Sequence, residues 1–285
     1  MAIQAVTIRQ RMGRIILWAA VLLVTLIALY PFVWAIITSF KPQRDALQSS
    51  LIPFVQFEPI MDNWNAELGR TGKENINALK NSAIIALGAT TIALTLGTMA
   101  GYSLARFRFG IGNRNLVSWF LSQRFLPPVA TLIPFFLLFQ RLDLLDSYAG
   151  MIIVNATFVM PFAVLITRDF FADFPQDLEE AALVDGASHL QVFLRVALPI
   201  AGPALVAAGI ICFTFAWNEF LFASVLTVRE AQPFTVKIVS TGTVRGIHFG
   251  FVSTRLLMAV VPPLILSLFV QRYIVRGLTM GAVKG

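Results

Sequence analysis

Residues 15–40 carry no charged side chain, and uncharged runs of similar length recur at 81–105 and 147–167. The hydrocarbon core of a bilayer takes about 20 apolar residues of α-helix. Only segments that satisfy their own backbone hydrogen bonds can cross it. The runs therefore confine the chain to an all-α membrane protein. Composition agrees: 57% of residues are hydrophobic and 13% charged, against roughly 45–50% and about 25% in soluble domains. The 15–40 run also exceeds a signal-peptide core of about 7–15 residues, so it reads as an uncleaved first transmembrane helix.

Six spans follow, at about 15–40, 81–105, 116–140, 147–167, 199–228 and 256–271. Together they make one transmembrane domain over 1–285 with both termini on the same side. The third span holds Arg124, Pro127, Pro128 and Pro134, so it is broken or bent. Irregular backbone at membrane depth is tolerated only inside protein or along a water-filled cavity. Arg124 reads most simply as a snorkelling residue at the cytoplasmic end. The sixth span is short, with Arg255 and Arg272 free to snorkel, and Pro262-Pro263 points to another broken segment. Residues 41–80 form an extramembrane loop with a cap-like element at 62–68. In the second span Ala86, Gly88, Ala89, Gly97, Ala100 and Gly101 suit close helix packing; the Gly97–Gly101 spacing is either a contact motif or incidental. Cys212 reads as a small buried hydrophobe.

The net charge of +7 is spread singly between apolar runs. It fits headgroup contact and topology better than nucleic acid. No GxxxxGK[ST] phosphate loop occurs, and His189 and His248 have no Cys or acid at metal spacing. A catalytic triad would need more polar residues than the spans contain. The rival from another class is an ATP-independent secondary transporter or channel using Glu219 or Arg124 for ion coupling.

The polar island is residues 168–199. Pro175 suits a first helical position, and Asp177, Glu179 and Glu180 crowd a first turn, where negative charge meets the positive end of the helix dipole. Leu178, Ala181, Ala182 and Asp185 share one face of this surface helix, and Gly186 can end it in a left-handed conformation. A second helix starts from a Ser188 N-cap, with Leu190, Phe193, Leu194 and Ala197 on one side.

The order Glu180-Ala181-Ala182, three residues, Gly186, nine residues, Val196, one residue, Leu198-Pro199 resembles the EAA loop of ABC-importer permeases, with Val196 where Ile is usual. Asp185-Gly186-Ala187 and Phe193 bring the likeness closer to the carbohydrate-uptake branch of maltose-transporter type. The segment 216–221 (AWNEFL) and the end of the chain, 271–285, resemble that branch's second permease subunit, so the likeness covers essentially the whole chain.

What the resemblance implies is a six-helix permease of the type I importer kind in a bacterial or archaeal inner membrane, with both termini cytoplasmic. Near-balanced Lys and Arg counts on the two sides do not set that orientation; the loop does. Glu180, Ala181, Ala182, Asp185, Gly186, Ala187, Phe193, Leu198 and Pro199 would form the coupling loop that docks on an ATPase. Thr279, Gly281, Lys284 and Gly285 would extend towards the interface between two ATPase subunits. The partners implied are a second homologous permease, two cytosolic ATPases and an extracytoplasmic solute-binding protein. ATP and Mg would be held by the ATPase, with no cofactor in this chain. The cargo implied is a sugar, polyol or related glycoside, held mainly by the other permease. Trp217, Asn218, Glu219 and Asn155 are candidates to line a pathway or gate, since an ionisable group in a membrane segment is functional by default. Glu219 reads equally as an outer-end group paired with Arg229 or Lys237.

Overall fold

A computed structural model describes residues 8–240, 242–243 and 246–281. Among them four helices are long and apolar enough to cross a membrane, and six spans result when each of two bent helix pairs counts as one. The residues fall into two compact units, 1–72 with 241–258 and 73–240 with 259–285.

In the first unit, α1 (Ile8–Ser39) is apolar and almost wholly exposed over its membrane-length part. Beyond it the chain folds on polar anchors. Asn63 Nδ2 donates to the carbonyls of Ser39 and Lys41 at 2.9 and 3.0 Å, and Lys41 Nζ lies 4.7 Å from the Trp34 ring centre while donating to Gln48 O. The cap-like element expected at 62–68 is a helical turn, Asp62–Asn65, running into a π-turn, Ala66–Arg70. Arg255 is not a snorkelling residue. Its Nε meets Glu67 Oε2 at 2.7 Å with both side chains buried, because a guanidinium with a carboxylate partner in reach has no reason to seek headgroups.

In the second unit, α2 (Gly72–Arg106) starts nine residues before the uncharged run, its first turns being polar. The third span is two helices, α3 (Asn113–Gln123) and α4 (Pro128–Arg141), bent by 88°. Pro127 is extended at ψ 122° and Pro128 opens α4, since a residue before proline is driven out of the helical region. The long α5 (Tyr148–Asp173) follows from a Ser147 N-cap. Next come α6 (Asp177–Val184) and α7 (His189–Ile200), the latter bent by 76° from α8 (Gly202–Trp217).

Two expected elements differ. The fifth span does not continue from 199 to 228: α8 stops at Trp217, and a separate α9 (Leu221–Leu226) follows. Asn218 turns its amide back to Thr214 O at 2.8 Å, and Glu219 takes up the free N–H groups of α9. A short α10 (Phe234–Val239) closes this stretch. The sixth span is one helix, α11 (Phe249–Gly281), unbroken at Pro262 and Pro263.

The core of this unit lies where α2, α5 and α8 meet. Ala86, Ala89 and Ala93 of α2, Ala163 of α5 and Cys212 of α8 are all buried. A Cβ at Gly97 would stand 2.6 Å from that of Ala163, and one at Gly101 would strike Thr167 Oγ1. The Gly97–Gly101 spacing is thus a helix contact, α2 against α5.

Candidate functional site

The surface loop is built from its capping groups upward. Asp177, Glu179 and Glu180 occupy the first turn of α6, where acids complement the dipole. Gly186 ends the helix at φ +86°, the left-handed conformation that favours glycine. Ser188 then opens α7 with a reciprocal capping box: its hydroxyl accepts from the Gln191 N–H, and Gln191 Oε1 accepts from the Ser188 N–H at 2.8 Å.

Of the predicted docking residues, Glu180, Ala181, Asp185, Gly186 and Pro199 are exposed, and Ala182, Ala187 and Leu198 are half-buried. Leu178 and Leu183 extend the exposed face. Phe193 lies inward instead, against the Tyr102 ring at 4.9 Å between centres. The expected apolar side of α7 is split, with Phe193 and Ala197 buried and Leu190 and Leu194 exposed. A π-turn over Phe193–Ala197 adds a residue to the helical circuit and so rotates the face. Thr279 and Gly281 lie in the last turns of α11, while Lys284 and Gly285 fall outside the described residues.

One group that sequence reading missed holds the loop from beneath. Glu179, 6% exposed, accepts from Arg106 Nη2 at 2.8 Å, from Arg106 Nε at 2.9 and 3.0 Å, and from the Tyr102 hydroxyl at 2.9 Å. Arg106 Nη2 also donates to Phe174 O at 3.2 Å. Removing one member of a buried ion pair costs about 3–5 kcal/mol, because the other charge is stranded. The available signal was the spacing of Tyr102 and Arg106, four apart on one helix face, opposite an acid next to Glu180.

A cleft of about 440 Å³ opens elsewhere in the same unit, where the bend between α3 and α4 faces the break between α8 and α9. Asn155 of α5, Asn218 and Glu219 line it. Trp217 does not: it lies against Phe213 and donates from Nε1 to Ala259 O at 3.2 Å. Its bulk serves helix packing. Glu219 pairs with neither Arg229 nor Lys237. Its carboxylate accepts the Phe222 and Ala223 N–H groups at 2.7 and 3.1 Å, capping α9, and Lys237 meets Glu74 at 2.7 Å. Arg124 stands at the C-terminal end of α3 and also lines the cleft. Its guanidinium lies 3.7 Å from the Phe162 ring centre and 5.3 Å from that of Phe215, an attraction of cation to aromatic face. The cleft thus combines amides, a guanidinium and aromatic rings, the mix of apolar lining and a few polar groups that small-molecule sites use.

Residues 93–280 match the model of a family described as the binding-protein-dependent transport system inner membrane component. The chain is 35% identical over 263 residues to the trehalose transport system permease protein SugB of Mycobacterium tuberculosis, covering 90% of this chain and 93% of that one. It is 31% identical over 274 residues to the trehalose/maltose transport system permease protein MalG of Thermococcus litoralis, covering 95% and 97%. In fold it is similar to a chain of a bacterial ABC transporter involved in import of the acidic polysaccharide alginate, with a TM-score of 0.76 at 23% identity, covering 94% of this chain and 98% of that one.

Proposed function

The chain belongs to the family of inner membrane components of binding-protein-dependent transport systems, and we propose that it forms half of the translocation path of an ATP-binding-cassette importer for a sugar, polyol or related glycoside. The observation that carries this reading is the likeness to two sugar permeases, continuous over 90% and 95% of the chain.

In this reading α6 is the coupling helix. Its exposed Glu180, Ala181 and Asp185, with Ala182, Gly186 and Ala187 beside them, dock on an ATPase, and Leu198-Pro199 leads into the next span. Two small alanines let a partner approach closely, and Glu180 supplies one charged contact. Phe193 supports the face from below. The end of α11, with Thr279 and Gly281, extends towards the interface of two ATPase subunits, which hold ATP and Mg. A second, different permease completes the path, a solute-binding protein delivers cargo from outside, and both termini are cytoplasmic. Asn155, Asn218 and Glu219 line the path.

Copurification from membranes tests the coupling assignment. Glu180→Lys and Gly186→Pro are each expected to lose the ATPase and ATP-driven uptake, the second because proline cannot adopt a positive φ. Unchanged, ATP-independent uptake in both variants would identify a secondary transporter or channel instead. Ligand screening on the solute-binding protein tests the cargo: a receptor that ignores carbohydrates and binds peptides overturns the sugar assignment.

A further inference from the structure

The inward face of α6 is polar where a helix that merely rests on its neighbours would be apolar. Glu179, one residue before the docking Glu180, has both carboxylate oxygens bonded to Arg106 and Tyr102. Arg106 is the last residue of α2 and Tyr102 lies one turn earlier. The Tyr102 ring also meets Phe171 of α5 edge-on at 5.2 Å and Phe193 of α7 at 4.9 Å. At Gly101, the residue before Tyr102, α2 touches α5 closely enough that a Cβ would stand 2.8 Å from Val164 O. Four helices therefore converge on the cluster of Glu179, Arg106 and Tyr102.

We propose that Glu179, Arg106 and Tyr102 form the joint through which movement of α6 is passed to α2 and α5. This positioning role rests on the reading of α6 as the coupling helix. Three physical points carry it. A buried ion pair is a poor device for stability alone, since desolvation offsets much of its attraction. It is a good device for direction: a side-on guanidinium–carboxylate contact fixes orientation and resists pulling, whereas an apolar contact slides. The contact also sits at the very end of α2, and the close crossing at Gly97 and Gly101 leaves α2 no room to move without α5. Coupling between distant sites needs an element that both sites bias; a docked α6 tied to the end of α2 is such an element. When the joint is cut, α6 keeps its exposed docking face, but α2 no longer follows it.

The test uses the complete transporter in lipid vesicles, with sugar uptake and ATP hydrolysis measured on the same preparation. In Glu179→Ala and in Tyr102→Phe, the ATPase should remain bound and hydrolysis persist, while sugar moved per ATP falls. The fall should be about tenfold for Glu179→Ala, the size of an ordinary coupling between sites, and smaller for Tyr102→Phe, which loses only a hydroxyl and keeps the ring packing. The exchange Glu179→Arg with Arg106→Glu should restore part of the ratio. Uptake and hydrolysis falling in step, with the ratio unchanged in Tyr102→Phe as well, would overturn the joint and leave a structural contact. The underlying reading fails differently: if α6 is not the coupling helix, Glu180→Lys leaves the ATPase bound.

Discussion

Asp146 shows how much one side chain can organise here. It sits at φ +50°, a conformation that Asp tolerates better than most residues, and its carboxylate accepts the backbone N–H groups of Val228, Arg229, Glu230 and Ala231 at 3.0 to 3.2 Å. Burial pushes its pKa up, but the four N–H donors outweigh that and hold it below the usual carboxylate value. A depressed folded pKa means stability that is complete above the unfolded value of roughly 3.9 and is lost as pH falls through the lower folded one. Asp146→Asn keeps the backbone conformation and replaces an acceptor oxygen with a donor. It is expected to lower stability by about 1 kcal/mol at pH 7, the scale of a lost hydrogen bond near solvent. Thermal unfolding in detergent should show the gap between wild type and variant narrowing below about pH 4, and a gap independent of pH would contradict the assignment. From sequence Asp146 was only the end of a short turn, because its four partners lie more than eighty residues away.

At the scale of elements, the prolines show which breaks can be read. Pro127-Pro128 breaks the third span as expected, whereas Pro262-Pro263 leaves α11 whole. Exposure does not separate the two pairs: Phe125, Leu126 and Val129 beside the first and Val261, Leu264 and Ile265 beside the second are all exposed. What sets the first pair apart is that Gln123, Arg124, Leu126 and Pro128 line the cleft, and irregular backbone is tolerated along a cavity. The break at Asn218 escaped notice, since apolar residues continue on both sides of it. The glycines of α2 allow a sharper statement. A Cβ at Gly101 would stand 2.8 and 2.9 Å from the Val164 carbonyl and the Arg168 nitrogen, backbone atoms that cannot step aside. Gly101→Ala should destabilise the purified permease by about 1–3 kcal/mol, as overpacking does. Gly13→Ala in α1 meets nothing within 4 Å and should leave unfolding nearly unchanged. Equal effects at both sites would mean that α2 and α5 do not cross so closely.

For the whole molecule, hydropathy made the helical membrane class and the four long apolar helices legible, and local capping chemistry made α6, Gly186 and the Ser188 start legible. The cleft was not, because it is assembled from residues at 123–128, 155–159 and 215–222 that no local pattern connects. Asn155 and Trp217 looked alike from sequence, as polar-edged residues in apolar runs, yet one lines the cleft and the other is packed between helices. That difference separates their expected behaviour. Asn155→Leu keeps the branched shape of the side chain and gives up an intrahelical bond to Met151 O, so the fold and the attached ATPase should survive. If the amide also meets cargo, the sugar concentration for half-maximal uptake should rise about two- to tenfold, the equivalent of one hydrogen bond. Trp217→Phe removes the donor to Ala259 and part of a buried ring, so it should lower thermal stability and leave that concentration alone. Uptake measured across a sugar titration, alongside unfolding in detergent, resolves the two effects. A Trp217 variant with weakened sugar dependence and an Asn155 variant without it would exchange their roles and move the path out of the cleft.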